Sequence, residues 1–255
     1  MQPNFDLGDR VAMVSGASSG FGAHFCRVLA RQGASVVMGA RRIERLRDLE
    51  QEIHNEGGQA LAVEMDVTDT SSVDAAFNTA EQHFGTVTIV SNNAGVADAR
   101  MILNTTEADW DRVLETNLKG VYRVAMAAGR RMIAAGLGGS IVNTASILGL
   151  RPAIAQSSYA TSKAAVVQFT RTLALEWGRK GIRVNALCPG YFITEMNHDY
   201  LTSEKGQAYI KSTPAQRTGE LHELTAPLLL LASEAGSFIN GAAIPVDGGH
   251  NLGAI

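Results

Sequence analysis

The sequence predicts an α/β protein: one doubly wound, seven-stranded parallel sheet with helices on both faces. Three observations carry this. Short apolar runs alternate with longer segments of helical period along all 255 residues. The apolar runs are hydrophobic on both faces, as strands covered by helices on each side must be. A glycine-rich turn joins the first run to the first helical segment, where an open parallel sheet presents its ligand crevice.

Strands are predicted over residues 10–15, 34–40, 60–65, 87–91, 140–144, 182–188 and 243–246. Helical periods cover residues 20–32, 42–57, 70–84, 107–135, 156–179 and 221–233. No linker rich in Pro, Gly or Ser interrupts them, so one domain is expected over residues 1–255. Residues 191–217 break the rhythm. They are long and of mixed polarity, and they follow the sixth strand, which makes them a candidate substrate loop.

Composition narrows the partners. A net charge of −3 gives no reason to expect nucleic acid or an anionic membrane. No apolar run has the length of a membrane span, and the first residues do not read as a leader. Two cysteines, Cys26 and Cys188, make no disulfide framework, which suits a reducing cytoplasm. The histidines are scattered without a ligand pair, so no metal is expected.

After the first strand comes Ser15-Gly16-Ala17-Ser18-Ser19-Gly20-Phe21-Gly22. Gly16 permits a tight turn, Gly20 lets backbone approach a pyrophosphate, and Gly22 lets the helix pack hard on the strand. The free N–H groups of the helix then meet phosphate. The second strand ends Met38-Gly39-Ala40-Arg41-Arg42, with no carboxylate before Glu44. A carboxylate there would bind the ribose 2′-OH of NAD. A guanidinium grips the 2′-phosphate of NADP, so NADP(H) is preferred, with NAD(H) the alternative. Asp66 and Val67 end the third strand. Asp66 suits the adenine amino group, or equally caps the helix beginning near Thr70.

Tyr159 and Lys163 stand four residues apart in a helical segment and share a face. A free tyrosine has a pKa of about 10, and bringing it into the neutral range takes about 3–4 kcal/mol. An ammonium about 4 Å away supplies about 4 kcal/mol at an effective dielectric of about 20, so Lys163 is expected to lower Tyr159 unaided. Ser146, just past the fifth strand, is placed to orient the same substrate oxygen, or simply to make a turn. Asn117 is a poor helix former inside a long helical segment. It reads as a polar break that holds a water near Lys163, or as a buried group bonded to backbone.

These residues in this order resemble the classical short-chain dehydrogenases/reductases, over nearly the whole chain. The resemblance rests on Ser15 to Gly22 and on Asn92-Asn93-Ala94-Gly95. It rests further on Asn117, Ser146, Tyr159 to Lys163, and Pro189-Gly190 with Thr194. The family's turn usually begins with Thr, where Ser15 stands here; Ser keeps the hydroxyl. The resemblance implies a Rossmann-type fold and a catalytic tetrad of Asn117, Ser146, Tyr159 and Lys163. It implies that Asn93, Ala94 and Gly95 line the adenine ribose. It also implies that Lys163 binds the nicotinamide ribose, and that Pro189, Gly190, Ile193 and Thr194 hold the carboxamide. Tyr159 would protonate a carbonyl oxygen that receives hydride, with Lys163 restoring the proton.

Candidate pocket residues flank Ser146 or follow Gly190: Ile147, Leu148, Ile154, Tyr191, Phe192 and Met196, beside Ser146 and Tyr159 themselves. Most are apolar, which favours an apolar or aromatic ketone and a ketoreductase (carbonyl reductase) activity. The alternatives are a 3-oxoacyl reductase, an NAD-dependent secondary alcohol dehydrogenase, and a dinucleotide-binding regulator without turnover. Residues 118–135 and 164–178 are apolar around much of their circumference. With the family's habit, this leads to an expected homotetramer.

Overall fold

In the computed structural model, which describes residues 4–253, the chain folds as predicted around a seven-stranded, all-parallel sheet of order β3-β2-β1-β4-β5-β6-β7. The first half runs β1 (Val11–Ser15), α1 (Gly20–Arg31), β2 (Ser35–Ala40), α2 (Ile43–Asn55), β3 (Gln59–Glu64), α3 (Thr70–Phe84) and β4 (Ile89–Asn92). The second runs α4 (Glu107–Leu114), α5 (Gly120–Ala135), β5 (Gly139–Thr144), α6 (Ser157–Trp177), β6 (Ile182–Pro189), α7 (His198–Thr202), α8 (Glu204–Lys211), α9 (Thr225–Ala232) and β7 (Ala243–Val246).

Strand side chains alternate between two cores. Ala12 and Val14 of β1 and Val36 and Met38 of β2 pack with Phe25, Leu29, Leu46, Leu228 and Leu231 from α1, α2 and α9. Val11, Met13 and Val37 point the other way, onto Phe77, Val124, Met132 and Leu173 from α3, α5 and α6. This two-sided burial is why the strands read as continuous apolar runs. Among the described residues, no helix is long and apolar enough to cross a membrane.

The strand order reverses between β1 and β4, which pair directly. The connections leaving these two strands run to opposite sides, so a crevice opens at their carboxyl ends. Gly22 seats α1 against that end. A Cβ there would lie 2.2 Å from the Gly16 carbonyl oxygen and 2.8 Å from Asn93 Nδ2. Gly22→Ala is therefore expected to lower stability by about 2 kcal/mol or more, read by denaturant unfolding. An unchanged midpoint would contradict so close an approach.

Two predicted elements are corrected. The single helix over residues 107–135 is three pieces: α4, a π-helical turn over Glu115–Lys119, and α5. The π turn inserts one extra residue without disturbing the apolar spacing on either side, so periodicity cannot register it. The helix over residues 221–233 opens with a 3₁₀ turn, Leu221–Leu224, before α9. Residues 191–217 hold the short helices α7 and α8, tied back to the body by a bridge between Phe192 and Gly219.

Candidate functional site

The crevice is stitched open by Ser15. Its hydroxyl accepts from Asn93 N (3.0 Å) and Ala94 N (3.1 Å) and donates to Asn92 Oδ1 (3.3 Å). Asn93 Nδ2 donates to the Ser15 and Gly16 carbonyls, both at 3.3 Å. These bonds hold the loop after β4 against the turn after β1. The close approach leaves room only for glycine: at Gly16 φ is +69° and a Cβ would meet Ala94 Cα at 2.7 Å. Helix α1 then begins at Gly20, and its N-cap Ser19 makes no side-chain bond to the helix's unpaired N–H groups. Those donors are left for another acceptor.

A cavity of about 450 Å³ runs from this turn to Tyr159. Of the sequence candidates, Gly16, Ser18, Ser19, Gly20, Phe21, Arg41, Arg42, Asp66, Val67, Asn93, Ala94 and Gly95 line its first part. Ser146, Tyr159, Lys163, Pro189, Gly190, Thr194 and Met196 line the rest. Gly22 lies behind the wall, and Ile193 is exposed and off it. Arg42 spans the rim: its Nε and Nη2 donate to Ser18 Oγ (3.1 and 2.9 Å), and Nη2 also donates to Ser19 Oγ (2.9 Å). Asp66 is not a helix cap. Asp69 caps α3, accepting from Ser71 N, while Asp66 Oδ1 accepts from Thr68 N (2.9 Å) and Thr68 Oγ1 (2.8 Å). Burial works to raise the Asp66 carboxyl, but the Thr68 bonds outweigh it and hold it below its ordinary value.

Tyr159 and the three polar residues expected to work with it come from three elements. Tyr159 and Lys163 lie on α6, one turn apart. Ser146 opens the 3₁₀ turn Ile147–Gly149, accepts from Leu148 N (3.0 Å), and lines the cavity together with Tyr159. Asn117 sits in the π turn, fully buried. Its Oδ1 accepts from Val96 N (2.8 Å), and its Nδ2 donates to Val96 O (2.9 Å) and Ser162 Oγ (3.1 Å). Asn117 therefore fixes the loop after β4 against α6, as the backbone-bonded alternative expects. A Cβ on Gly95 would lie 3.2 Å from Asn117 Oδ1 and 3.6 Å from Lys163 Nζ, so both side chains border that glycine.

The expected Lys163–Tyr159 pairing takes a different form. Lys163 Nζ donates to the Thr144 carbonyl at 2.7 Å and lies 5.7 Å from the centre of the Tyr159 ring. The Thr144 carbonyl at the end of β5 thus holds the ammonium. Burial pushes Lys163 down to about 8. Burial also raises Tyr159, and the Ser146 hydroxyl only partly opposes it. The protein's own groups thus leave Tyr159 above the ordinary phenol value, not below it.

The apolar pocket candidates disperse. Ile147 and Leu148 are buried outside the cavity. Phe192 is core, packed edge-on to Phe21 with ring centres 5.4 Å apart. Its position after Gly190 gave no hint of which way it faces. Ile154 is 85% exposed, while Met196 reaches the cavity rim. Tyr191 and His250 line a second hollow, and the Tyr191 ring lies 5.6 Å from that of Tyr209 and 5.1 Å from that of His250. Tyr209 Oη lies 2.8 Å from His250 Nε2. Sequence reasoning missed the cavity-lining Arg112, Thr116 and Glu195. Arg112 lies at the end of α4 and Thr116 in the π turn, and Glu195, although it stands between Thr194 and Met196, meets its arginine partners only across 150 and 153 residues of chain. Among the described residues, no group of three or more His, Cys, Asp or Glu is placed to hold a metal ion.

Residues 10–205 match the family model described as short chain dehydrogenase. The chain is 38% identical to gluconate 5-dehydrogenase of Gluconobacter oxydans, covering 96% of each chain. It is 41% identical to galactitol 2-dehydrogenase (L-tagatose-forming) of Cereibacter sphaeroides, covering 97% of each. Its fold is similar to the crystal structure of a gluconate 5-dehydrogenase from Burkholderia cenocepacia in complex with NADP and tartrate. There the TM-score is 0.94 at 34% identity, over 99% of each chain.

Proposed function

The chain belongs to the short-chain dehydrogenase family, an oxidoreductase of CH–OH/C=O groups that uses a nicotinamide dinucleotide, and we propose that it works with NADP(H) on an apolar or aromatic ketone. The observation that carries the cofactor choice is the rim at the end of β2. Arg41 and Arg42 line the cavity there, with Ala40 where a carboxylate would exclude a phosphate. The residues fit a dinucleotide. The cradle between Gly16 and Ala94 would be filled by a Cβ, and the unpaired donors of α1 open beside it. Ser18, Ser19, Arg41 and Arg42 would hold the phosphates, and Asp66 and Val67 the adenine. Asn93, Ala94 and Gly95 would hold the adjoining ribose, and Pro189, Gly190 and Thr194 the nicotinamide end. The bound nicotinamide supplies or accepts the hydride.

Tyr159 then donates its proton to the substrate oxygen, which Ser146 holds beside it. Lys163 keeps a positive charge below the Tyr159 ring and favours the phenolate that remains. Asn117 is a positioning residue, fixing Val96 and Ser162 around Lys163.

Met196 gives the cavity rim an apolar edge, which favours the apolar ketone. A second reading has its own support. Tyr191, Tyr209 and His250 offer hydroxyl and imidazole groups beside the site, and two relatives are named for gluconate and galactitol. Those features suit a polyol or hydroxy acid. A panel of apolar ketones, polyols and sugar acids with NADP(H) and NAD(H) separates the readings. Turnover confined to the polyols and sugar acids would overturn the first. A homotetramer in the cytoplasm completes the proposal. Its support is the exposed Tyr122 and Ile133 on α5 and Leu175 on α6, and two free, buried cysteines.

Ala40→Asp tests the cofactor choice. It sets a carboxylate at the cavity wall and is expected to lower kcat/KM for NADPH about tenfold or more, with NADH gaining relatively; tenfold corresponds to about 1.4 kcal/mol, one close like-charge contact. Steady-state kinetics with both cofactors measures it. An unchanged cofactor ratio, or a wild type that already favours NADH tenfold, contradicts the reading of Arg41.

A further inference from the structure

We propose that Glu195 is an internal competitor for the site of the 2′-phosphate, and so sets how strongly this protein distinguishes NADP(H) from NAD(H). The inference rests on the reading of Arg41 and Arg42 as the phosphate-binding arginines. Glu195 follows Thr194 directly and lines the same cavity as Ser18, Ser19, Arg41 and Arg42. Its Oε2 accepts from Arg42 Nη1 at 3.2 Å, and its Oε1 accepts from Arg45 Nη1 at 2.6 Å. One carboxylate thus joins the segment after β6 to the start of α2. These two arginines hold the Glu195 carboxyl below its ordinary value, so it is ionised at neutral pH.

The guanidinium of Arg42 makes four hydrogen bonds with its five N–H groups. Its Nε–Nη2 edge bonds the serines of the glycine turn, and its Nη1 bonds Glu195. A phosphate gripping Arg42 through two N–H groups must take at least one of these bonds. The serine hydroxyls are neutral and also donate, so they can turn to the phosphate. Glu195 cannot: it is an anion, and beside a phosphate it only repels. NAD(H) brings no charge to this point, so Arg42 and Arg45 stay paired with Glu195. The carboxylate then does for the arginines what a phosphate would, and the segment carrying Thr194 stays fastened to α2. Glu195 therefore weakens binding of one cofactor and leaves the other unaffected.

The test is Glu195→Gln, which keeps the shape and removes the charge. Dissociation constants for NADP⁺, NADPH, NAD⁺ and NADH are measured by calorimetry or fluorescence at low ionic strength. The control is Glu204→Gln, which removes an exposed charge from α8 of the same segment. Glu195→Gln is expected to tighten both NADP forms about three- to five-fold, the size of one exposed charge pair, with both NAD forms unchanged. Raised ionic strength should erase the gain. Equal shifts for the two cofactors, no shift for NADP(H), or the same gain from Glu204→Gln would overturn the proposal. The wild-type ratio of NADP(H) to NAD(H) affinity tests the underlying cofactor reading. The change in that ratio on Glu195→Gln tests Glu195, so the two fail separately.

Discussion

Tyr159→Phe is expected to lower kcat/KM about 10³-fold while cofactor affinity stays within about two- or three-fold, because it removes a proton donor and little else. Tyr159 lines the cavity together with Ser146. Phe keeps the ring over which Lys163 lies, so the packing of α6 against the end of β5 is preserved. Steady-state turnover gives the first quantity and nucleotide fluorescence titration the second. A variant keeping a tenth of wild-type activity would remove Tyr159 from the mechanism. The raised pKa of Tyr159 sharpens the expectation. As long as burial governs the group, it holds its proton at neutral pH and stands ready as an acid rather than a base.

Lys163→Met is expected to cut turnover about 10²-fold or more, and also to change how stability responds to pH. Lys163 is buried, its Nζ donates to a carbonyl, and burial pushes it down to about 8 in the folded protein. In the unfolded chain a lysine titrates near about 10.4. Below about 8 both states carry the charge, and the cost of burying it is fully present. Between the two values the unfolded chain binds a proton that the folded chain does not, so wild-type stability rises with pH. Relative to Lys163→Met, the wild type should gain about 2–3 kcal/mol between pH 7 and pH 10, at about 1.4 kcal/mol per pKa step. Denaturant unfolding of both proteins without added nucleotide, at the two pH values, measures the difference. A constant difference would show that Lys163 is not desolvated in the fold.

Much of this architecture was legible in the chain. The strands lie within one residue of their predicted ends, save that β4 begins two residues late, at Ile89 where residue 87 was expected. Burial on both faces and the turn at Gly16 are local signals. The split of residues 107–135 was not legible, because α4 and α5 keep one apolar stripe across the π turn. The pocket was the poorest guide. Ile147, Leu148 and Phe192 are apolar whether they face a substrate or the core, and proximity in sequence to Ser146 or Gly190 carries no direction. The polar alternatives for Asp66 and Asn117 were likewise decided only by which partners came within reach.

The sequence by itself determined the order of strands and helices, the glycine turn, the arginines after β2, and the one-turn spacing of Tyr159 and Lys163. All of these follow from period, backbone freedom and charge along a short stretch. The tertiary structure alone decided that Lys163 reaches for the Thr144 carbonyl, so that burial and not a neighbouring ammonium sets Tyr159. It alone brought Glu195 to Arg42 and Arg45. Desolvation and pairing between distant residues depend on what the folded chain places around a group, and no local window of sequence contains that.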